Sequence, residues 1–518
     1  MHGRRWMAAV LLLAAPAFAE EPAPKGVLYK NTLKGGVGDL QFSPDGRMLA
    51  AAGFNQTITL RHSATGKLRR TLEGHTGRVT CVAWSPDGKE IASGSEDGSI
   101  RFWDPSKGTV TASLLNVHTR GTHGTGTTCI GYFPDGKLLY SSGYDPVVQI
   151  WDAWTHKLVR SLAGHGDCVC ACLSADGSRL ATASQDGTAK LWDPESGDVL
   201  GEFSMEPPIQ ASSAHLGVPC FSPDGRRLFA GGGDGRIRSW TIPDRKEATS
   251  WKAHGGFICS AEVSPDGGLV VSGGVHPLGG LGAPEETWDN AIRIWDADTG
   301  ELLLELGGHE MSVAHCHFSK DGSRLATGSW DGGVLVWDLE ALELLPGVAT
   351  TEDMESLWKR LGEPVGPRAW AGVRALAAKP EKALDLIGSR LRPAEADPGF
   401  SKKVADLILK LDDDDPEVRD KAQEDLSHLG PRSEAALRKS LEAPPSAEVR
   451  MRIREILESK SAWRPVGEEE LRFVRALRIL ENISGETSSG ILKELASGDP
   501  ESTLTALAKE TLGRRNGR

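Results

Sequence analysis

Residues 72–104 read LEGHTGRVTCVAWSPDGKEIASGSEDGSIRFWD, and this stretch decides the fold of the chain. It holds three short runs in which apolar residues alternate with small or polar ones, a pattern typical of β-strands. Ser85-Pro86-Asp87-Gly88 separates the first two runs and Asp97-Gly98 separates the last two, and both motifs favour tight turns. The stretch therefore predicts three strands joined by two hairpins, which cannot bury both faces alone and must stack against further copies.

Seven copies of this unit can be aligned on the first turn. The turn lies at residues 43–46, 85–88, 133–136, 174–177, 222–225, 264–267 and 319–322. The first copy has lost its final Trp, and the sixth carries an insertion at residues 275–287 between its second and third strands. In the third copy the Gly-His opening is blurred, so that either His118 or His123 can take the place of the histidine.

The ~40-residue spacing, the Gly-His opening and the Trp-Asp ending resemble the WD40 family over residues 26 to about 345. The resemblance implies an all-β, seven-bladed β-propeller, for which we assign residues 20–345 as the domain. It also implies that the start of each repeat supplies the fourth strand of the preceding blade. Residues 26–32 then complete blade seven, so that the ring is closed by its own N-terminal segment.

The resemblance further implies a hydrogen-bonded set of four side chains in each complete blade. The sets are His75, Ser93, Asp97 and Trp103; His165, Thr182, Asp186 and Trp192; and His309, Thr327, Asp331 and Trp337. A His-Ser-Asp group can also form a hydrolase triad, but its recurrence in three blades favours a structural role, because repeated buried polar groups need repeated partners. Blades one and five lack most of the set and are expected to be the less stable part of the ring.

Propellers of this family bind peptides and protein segments on the end that carries the turns between second and third strands. The candidate partner-binding residues there are Phe54, Arg78, Tyr144 and Trp330, because exposed aromatic and Arg side chains are common at binding hot spots. Blades seven and one adjoin in a closed ring, which places Trp330 and Phe54 side by side with Arg78 near them. The alternative is that each aromatic ring packs flat on its own blade.

After Pro346 the pattern changes to helical spacing, and we predict an all-α, solenoid-like domain over residues 346–518. Residues 411–430, LDDDDPEVRDKAQEDLSHLG, resemble a HEAT-type helical hairpin. We interpret the acidic run as a helix cap at Asp415 followed by Pro416, not as a calcium loop. The basic residues pair with many Glu residues, so we interpret them as a solvated helix surface. These residues are Arg450, Arg452, Arg454, Arg472, Arg475 and Arg478.

Residues 1–19 have the form of a signal peptide, with Arg4-Arg5, an apolar run and Ala17-Phe18-Ala19 before Glu20. The apolar run is well short of the ~20 residues that span a membrane, so we predict no membrane span. This pattern predicts export to the periplasm or the cell exterior.

The formal net charge of −12 argues against a general nucleic-acid binder, which needs a concentrated basic face.

The eight cysteines all lie on first strands of their repeats and show no metal-site spacing. Small buried residues on crowded inner strands explain them best, while a disulfide between neighbouring blades remains possible. His315 and His317 flank Cys316 on one strand, which suits a channel-lining pair better than a chelate. No phosphate loop, nucleophile motif or dinucleotide fingerprint occurs, so we predict neither a cofactor nor a metal.

These patterns favour an exported, non-catalytic scaffold that binds a protein or peptide through the propeller and the helical extension. Two alternatives remain: a propeller that binds carbohydrate or cell wall through the same exposed aromatics, and an enzyme with a site in the central channel. The sequence does not identify the partner or the oligomeric state.

Overall fold

The computed structural model describes most of the chain from Gly26 onward. The described residues are 26–118, 126–166, 169–205, 219–242, 245–275, 289–342, 344, 353–363, 367–377, 379–394, 398–429, 431–442, 446–458, 468–483, 485–499 and 502–516. The predicted signal peptide, His123 and most of the insertion in the sixth repeat lie outside them. Within the described residues, 28 strands come first and ten helices follow.

The strands form seven antiparallel four-stranded sheets, which are the blades of a propeller. Blades one to three comprise β2 (Val37–Phe42), β3 (Met48–Gly53), β4 (Thr57–His62), β5 (Leu68–Glu73); β6 (Val79–Trp84), β7 (Ile91–Ser95), β8 (Ile100–Asp104), β9 (Thr109–Leu114); and β10 (Thr127–Tyr132), β11 (Leu138–Gly143), β12 (Val147–Asp152), β13 (Leu158–Ala163). Blades four and five comprise β14 (Val169–Leu173), β15 (Leu180–Ser184), β16 (Thr188–Trp192), β17 (Val199–Ser204); and β18 (Cys220–Phe221), β19 (Arg227–Gly231), β20 (Arg236–Thr241), β21 (Lys246–Lys252). Blades six and seven comprise β22 (Phe257–Val263), β23 (Leu269–Val275), β24 (Ile292–Asp296), β25 (Leu302–Leu306); and β26 (Val313–Phe318), β27 (Arg324–Ser329), β28 (Gly333–Asp338), β1 (Val27–Thr32).

Blade seven is completed by the first strand of the chain. β1 pairs antiparallel with β28, from Val27 opposite Trp337 to Thr32 opposite Gly333. The inner strand β2 of blade one contacts the inner strands β6 and β26 on its two sides. The predicted seven-bladed ring and its closure by the N-terminal strand are therefore confirmed. Closure pairs the strand edges that an open arc of blades would leave free.

The Ser-Pro-Asp-Gly motif explains why each hairpin between first and second strands is tight. In blade two the Ser85 hydroxyl donates to Asp87 Oδ1 at 2.8 Å and accepts from the Glu90 N–H at 2.9 Å. Gly88 has a φ of +70°, in the left-handed region that disfavours residues with a Cβ.

We call the end of the ring with these turns the lower end; it also carries the turns between third and fourth strands. The turns between second and third strands lie at the opposite, upper end.

The C-terminal part of the described chain consists of helices, as predicted. They are α1 (Met354–Arg360), α2 (Pro367–Ala377), α3 (Pro380–Arg390), α4 (Pro398–Lys410), α5 (Pro416–His428), α6 (Pro431–Glu442), α7 (Ala447–Glu458), α8 (Glu468–Asn482), α9 (Glu486–Ala496) and α10 (Thr503–Asn516). The Asp415 side chain accepts from the Glu417 N–H and caps α5. None of the helices in the described ranges is long and apolar enough to cross a membrane. Their resemblance to HEAT hairpins remains a prediction.

The helices divide between two hydrophobic cores. Helices α4–α7 form one core by themselves, around residues such as Leu411, Leu426 and Ile453. Helices α1–α3 and α8–α10 instead share a core with blades six and seven, in which Trp337 and Leu339 lie in one cluster with Leu357 and Leu477. The propeller and these six helices are therefore held together by a continuous apolar interior.

A buried arginine fastens this helical group to the lower end of blade six. Arg478 of α8 is only 8% exposed; its guanidinium contacts Asp296, lies 2.9 Å from Asp298 Oδ2, and lies 4.5 Å from the centre of the Trp370 ring. Arg475 is equally buried and donates to two backbone carbonyls of the segment after α1. The interpretation of these two arginines as a solvated surface is wrong, because their partners come from elements distant in sequence.

We expect Arg478→Met to loosen the contact between helices and propeller, because it leaves the buried carboxylate of Asp296 without its cation, while Asp298 keeps its pair with Arg227. Losing one member of a buried ion pair costs about 3–5 kcal/mol. Thermal unfolding and limited proteolysis of the full chain should show a lower Tm and faster cleavage between propeller and helices.

The matched control is Arg452→Met in α7. Arg452 also contacts two carboxylates, but those of Asp420 and Glu448 are 70% and 40% exposed, whereas that of Asp296 is 7% exposed. Exposed pairs contribute about 0–1 kcal/mol, so this variant should behave nearly as wild type. Equal losses in the two variants would contradict the assigned role of Arg478.

Candidate functional site

A chain of hydrogen bonds crosses the interior of blade two. The Trp103 Nε1–H donates to Ser93 Oγ at 2.8 Å, and Ser93 Oγ lies 2.8 Å from His75 Nε2. On the other side of the imidazole, His75 Nδ1 lies 2.9 Å from Asp97 Oδ2. A neutral histidine that donates through Nδ1 and accepts through Nε2 satisfies every member of the chain.

The same chain of bonds is complete in three further blades, and in blade seven it lacks only the bond between His309 and Asp331. In blade four it joins Trp192, Thr182, His165 and Asp186. In blade seven it joins Trp337, Thr327 and His309, with His309 Nδ1 at 3.6 Å from Asp331. Two blades have it where sequence reasoning assigned no complete set. They use His118, Ser141, Asp145 and Trp151 in blade three, and His254, Ser272, Asp289 and Trp295 in blade six.

The two additional sets carry a signal that could have identified them. Ser141 precedes Trp151 by the same ten residues that separate Ser93 from Trp103. In blade six the insertion lengthens this interval, so that Asp289 no longer stands at the expected distance from the histidine. A search that allowed for the insertion would have found it.

Blades one and five have lost the hydroxyl on which the chain depends. The strand position that holds Ser93 and Thr182 in blades two and four holds Ala51 and Ala230 here. Alanine has no hydroxyl, so this position needs no hydrogen-bond partner in blades one and five, which also lack other members of the set. Joint loss of hydrogen-bond partners is nearly neutral, whereas loss of one partner is costly.

Burial determines the protonation of the set in blade two. Burial lowers the pKa of His75, and the hydrogen bond to Asp97 offsets only part of this effect. Burial alone would raise the pKa of Asp97. Hydrogen bonds from the Ser99 hydroxyl, the Thr76 N–H and His75 outweigh it and hold this pKa well below its ordinary value. A neutral imidazole enclosed with an ionised carboxylate inside the blade is a structural group without access for a substrate.

At the upper end, Phe54 and Trp330 flank one glycine. The Phe54 N–H donates to the Gly36 carbonyl at 2.8 Å. A Cβ on Gly36 would lie 2.5 Å from the Phe54 ring and 3.3 Å from Cα of Trp330. Both aromatic side chains are half-buried, and the Trp330 Nε1–H has no hydrogen-bond acceptor among the residues that the structure describes.

Arg78 lies on the other side of Phe54. Its guanidinium carbon is 5.0 Å from the centre of the Phe54 ring, and its Nη1 lies 3.9 Å from Glu96 Oε1. The Arg78 side chain is 58% exposed, so its N–H groups remain accessible to solvent. We call Phe54, Arg78 and Trp330 together the aromatic face.

Tyr144 belongs to blade three and is separated from Phe54 by blade two. It is half-buried, and its N–H lies 3.4 Å from the Gly126 carbonyl. The structure therefore brings three of the four candidate residues together and leaves Tyr144 apart.

Sequence reasoning missed Trp154, which is 91% exposed in the turn after β12 at the lower end. A Trp within a polar turn sequence was the available signal.

The seven described cysteines form no disulfide with one another, and Cys168 lies outside the described residues. Burial raises the pKa of the Cys259 thiol to about 12, and the pKa of Cys129 is raised to about 11 for the same reason. Such thiols stay protonated and unreactive at neutral pH. In the part of the chain that the structure describes, no group of three or more His, Cys, Asp or Glu residues is placed to hold a metal ion.

These features define a closed seven-bladed propeller with Trp-Asp blade endings and an aromatic face at its upper end. The family model described as "WD domain, G-beta repeat" matches residues 26–61, 66–104, 115–152, 156–193, 208–241, 245–296 and 300–338. The chain belongs to the WD40 family.

Curated relatives match the propeller part of the chain. Nuclear distribution protein nudF of Emericella nidulans is 30% identical over 311 residues, which cover 57% of this chain and 66% of that protein. Nuclear distribution protein PAC1 of Arthroderma benhamiae is 29% identical, covering 50% and 59%. The β subunit of a guanine nucleotide-binding protein of Oryza sativa subsp. japonica is 26% identical, covering 50% and 80%. The match spans less than two thirds of the two nuclear distribution proteins.

The comparisons correct the predicted localisation. The matched relatives come from fungi and a plant, and nothing in them points to export. The prediction of a periplasmic or extracellular protein is therefore wrong. The N-terminal pattern on which it rested is a short apolar run after two arginines, which is a compositional signal that many unexported segments share. The cell-wall alternative depended on export and loses its basis with it.

We expect Trp192→Ala to lower the Tm more than Trp240→Ala. Both side chains are buried, at 2% and 4% exposure, so each truncation leaves a cavity that costs about 3–5 kcal/mol. Trp192 additionally donates to Thr182, which loses a partner at a further cost of about 1–3 kcal/mol. The position of Thr182 holds Ala230 in the blade of Trp240. Equal or reversed shifts in calorimetry would contradict the ranking.

We expect the propeller to lose stability in two steps as the pH falls. The lowered pKa of His75 gives stability that is complete above the unfolded value near 6.5 and declines below it. The lowered pKa values of Asp97, Asp186, Asp289 and Asp331 give stability that is lost only below about pH 4. Melting curves at pH 7.5, 5.5 and 3.5 test this. His75→Gln should reduce the first step and leave the second, and an unchanged first step would refute the assignment.

Proposed function

We propose that this protein is a non-catalytic scaffold that binds a protein or peptide partner through the aromatic face. The observation that carries this proposal is that residues of three blades meet at the upper end: Phe54 and the backbone of Trp330 flank Gly36, and Arg78 stacks on the Phe54 ring. Aromatic and Arg side chains that cluster on a rigid support are the residues that contribute most to protein–protein affinity.

The contacts of Arg78 favour a partner with an acidic group beside an apolar one. The stacking of Arg78 on Phe54 is worth about 0.5–1 kcal/mol at an exposed site and orients the guanidinium. Its pair with Glu96 at 3.9 Å is weak, because exposed pairs contribute about 0–1 kcal/mol. A carboxylate of the partner can therefore replace Glu96 at little cost, while an apolar side chain contacts the Phe54 and Trp330 rings.

Among the relatives, one is named as a subunit of a guanine nucleotide-binding protein, so at least that relative acts within an assembly.

The helical region offers a second docking surface in this proposal. We keep residues 20–345 and 346–518 as the two domains, with the shared core of blades six and seven holding them in one arrangement. Helices α4–α7 have their own core and expose Leu409 and Met451, at 65% and 49%. A scaffold of this form presents two surfaces at a constant separation.

The double variant Phe54→Ala/Trp330→Ala should lose the partner without losing the fold. Hot-spot aromatics contribute about 2 kcal/mol or more each, so partner recovery should fall by at least roughly tenfold. The measurement is affinity capture from an extract of cells that express the protein, quantified by mass spectrometry, with circular dichroism to check folding.

Trp154→Ala provides the matched control, because it removes a more exposed aromatic side chain from the opposite end of the ring. Its capture profile should equal that of wild type. Identical profiles for the double variant and wild type would refute the aromatic face, and equal losses in both variants would indicate non-specific adhesion of aromatic rings.

A further inference from the structure

The first strands differ from blade to blade near the lower end. Each first strand has an equivalent residue two positions before its turn, and those of blades six, seven and one line one cavity. Around the ring these residues are Gln41, Ala83, Gly131, Cys172, Cys220, Glu262 and His317. Four neighbouring blades contribute small side chains or thiols, whereas blades six, seven and one contribute the polar groups. Glu262 is the one carboxylate at this level.

Comparison of Glu262 with Gln41 separates its structural role from its charge. Gln41 Oε1 accepts from the Trp84 N–H in the next blade at 2.6 Å. Glu262 Oε2 accepts from the Phe318 N–H in the next blade at 2.7 Å. The two contacts are equivalent, so a neutral amide is sufficient for the bond between blades. The negative charge of Glu262 is therefore not required by the fold.

That charge lines a cavity and is partly exposed there. The cavity has a volume of about 290 Å³, and its walls include Phe42, Trp84 and Phe318 beside Glu262 and His317. Glu262 Oε1 is 3.8 Å from His317 Nε2, beyond hydrogen-bond distance, and the Glu262 side chain is 28% exposed. A ligand that enters the cavity can therefore reach Oε1.

We infer that this cavity binds one cationic group, an alkylammonium or a guanidinium, through the carboxylate of Glu262. A carboxylate away from bulk water binds a cation with charge-assisted hydrogen bonds, which are stronger than those between neutral groups. A volume near the lower limit of about 300 Å³ for small-molecule sites suits a single side chain or a small amine.

Charged and titratable groups of both signs lie near the cavity, since His317 and Lys320 line it beside Glu262. Asp39 lies further along the same side of the channel, where its Oδ1 is 3.3 Å from His315 Nδ1. Burial raises the pKa of Glu262, and Asp39 raises it further, while His317 and the bond from the Phe318 N–H lower it. A bound cation favours the ionised form, so affinity should increase with pH. Lys320 also borders the cavity, but it is exposed on its turn and can keep its ammonium group in water.

Ligand-observed NMR on the full chain tests this inference with acetyl-arginine amide, acetyl-lysine amide and n-butylamine as cations and acetyl-glutamate amide as the anion. Wild type should show saturable binding of the cations. Glu262→Gln should weaken it by at least about tenfold while keeping the Tm, because Gln makes the same bond between blades that Gln41 makes. Tighter binding of the amides than of n-butylamine would identify a protein side chain as the ligand, and equal binding a small amine.

Lys320→Gln is the second variant, because it removes the cation at the rim. The cations should bind it at least as tightly as they bind wild type. Absence of cation binding to wild type, or equal binding to wild type and Glu262→Gln, would overturn the inference. Binding of acetyl-glutamate amide that is lost in Lys320→Gln would also overturn it, since the cavity would then be an anion site. This cavity and the aromatic face lie at opposite ends of the ring, so each proposal is tested independently.

Discussion

The hydrogen bonds between β1 and β28 are the constraint on which the propeller depends. They join the first described strand to the last strand of the ring, so all seven blades must be present before the final edge is paired. Such distant pairing carries a large entropy cost before it gains any contact, and a partly formed ring keeps open edges. Once closed, however, the ring holds residues from distant parts of the chain at constant positions. Phe54 and Trp330 meet only because blade seven is completed by the strand that precedes blade one.

Closure also explains the composition of the inner strands. Seven first strands converge on one axis, and residues that face it have little room. The second strands beside them are crowded too: a Cβ on Gly94 of β7 would lie 2.6 Å from Cys81 Sγ, and one on Gly273 of β23 would lie 2.4 Å from the Val313 carbonyl. Small residues and buried thiols meet this requirement without unsatisfied polar groups. Crowding between neighbouring blades therefore agrees with the interpretation of the cysteines as small buried residues.

Local patterns predicted those features that local patterns determine. Alternating apolar residues and turn motifs gave the strands, their count and the closing segment, and 3.6-residue spacing gave the helices. The hydrogen-bonded sets of blades two, four and seven stand at regular distances along the chain. Asp289 stands six residues before Trp295, as Asp97 does before Trp103, but an insertion separates it from Ser272. Arg478 could not be assigned because its partners Asp296 and Asp298 are distant in sequence. Its helix reads as charged and exposed until blade six is placed against it.

Differences between copies of a repeat carry information that the repeat itself does not. Where all copies share a group, the fold explains it, as it explains the histidines inside the blades. Where a neutral amide and a carboxylate make the same hydrogen bond at equivalent positions of two blades, the fold explains the bond but not the charge. Gln41 and Glu262 both accept an N–H from the next blade, so the charge of Glu262 needs another cause. Partial burial of a carboxylate without a structural need costs stability, and binding of a cation is a cause that offsets this cost.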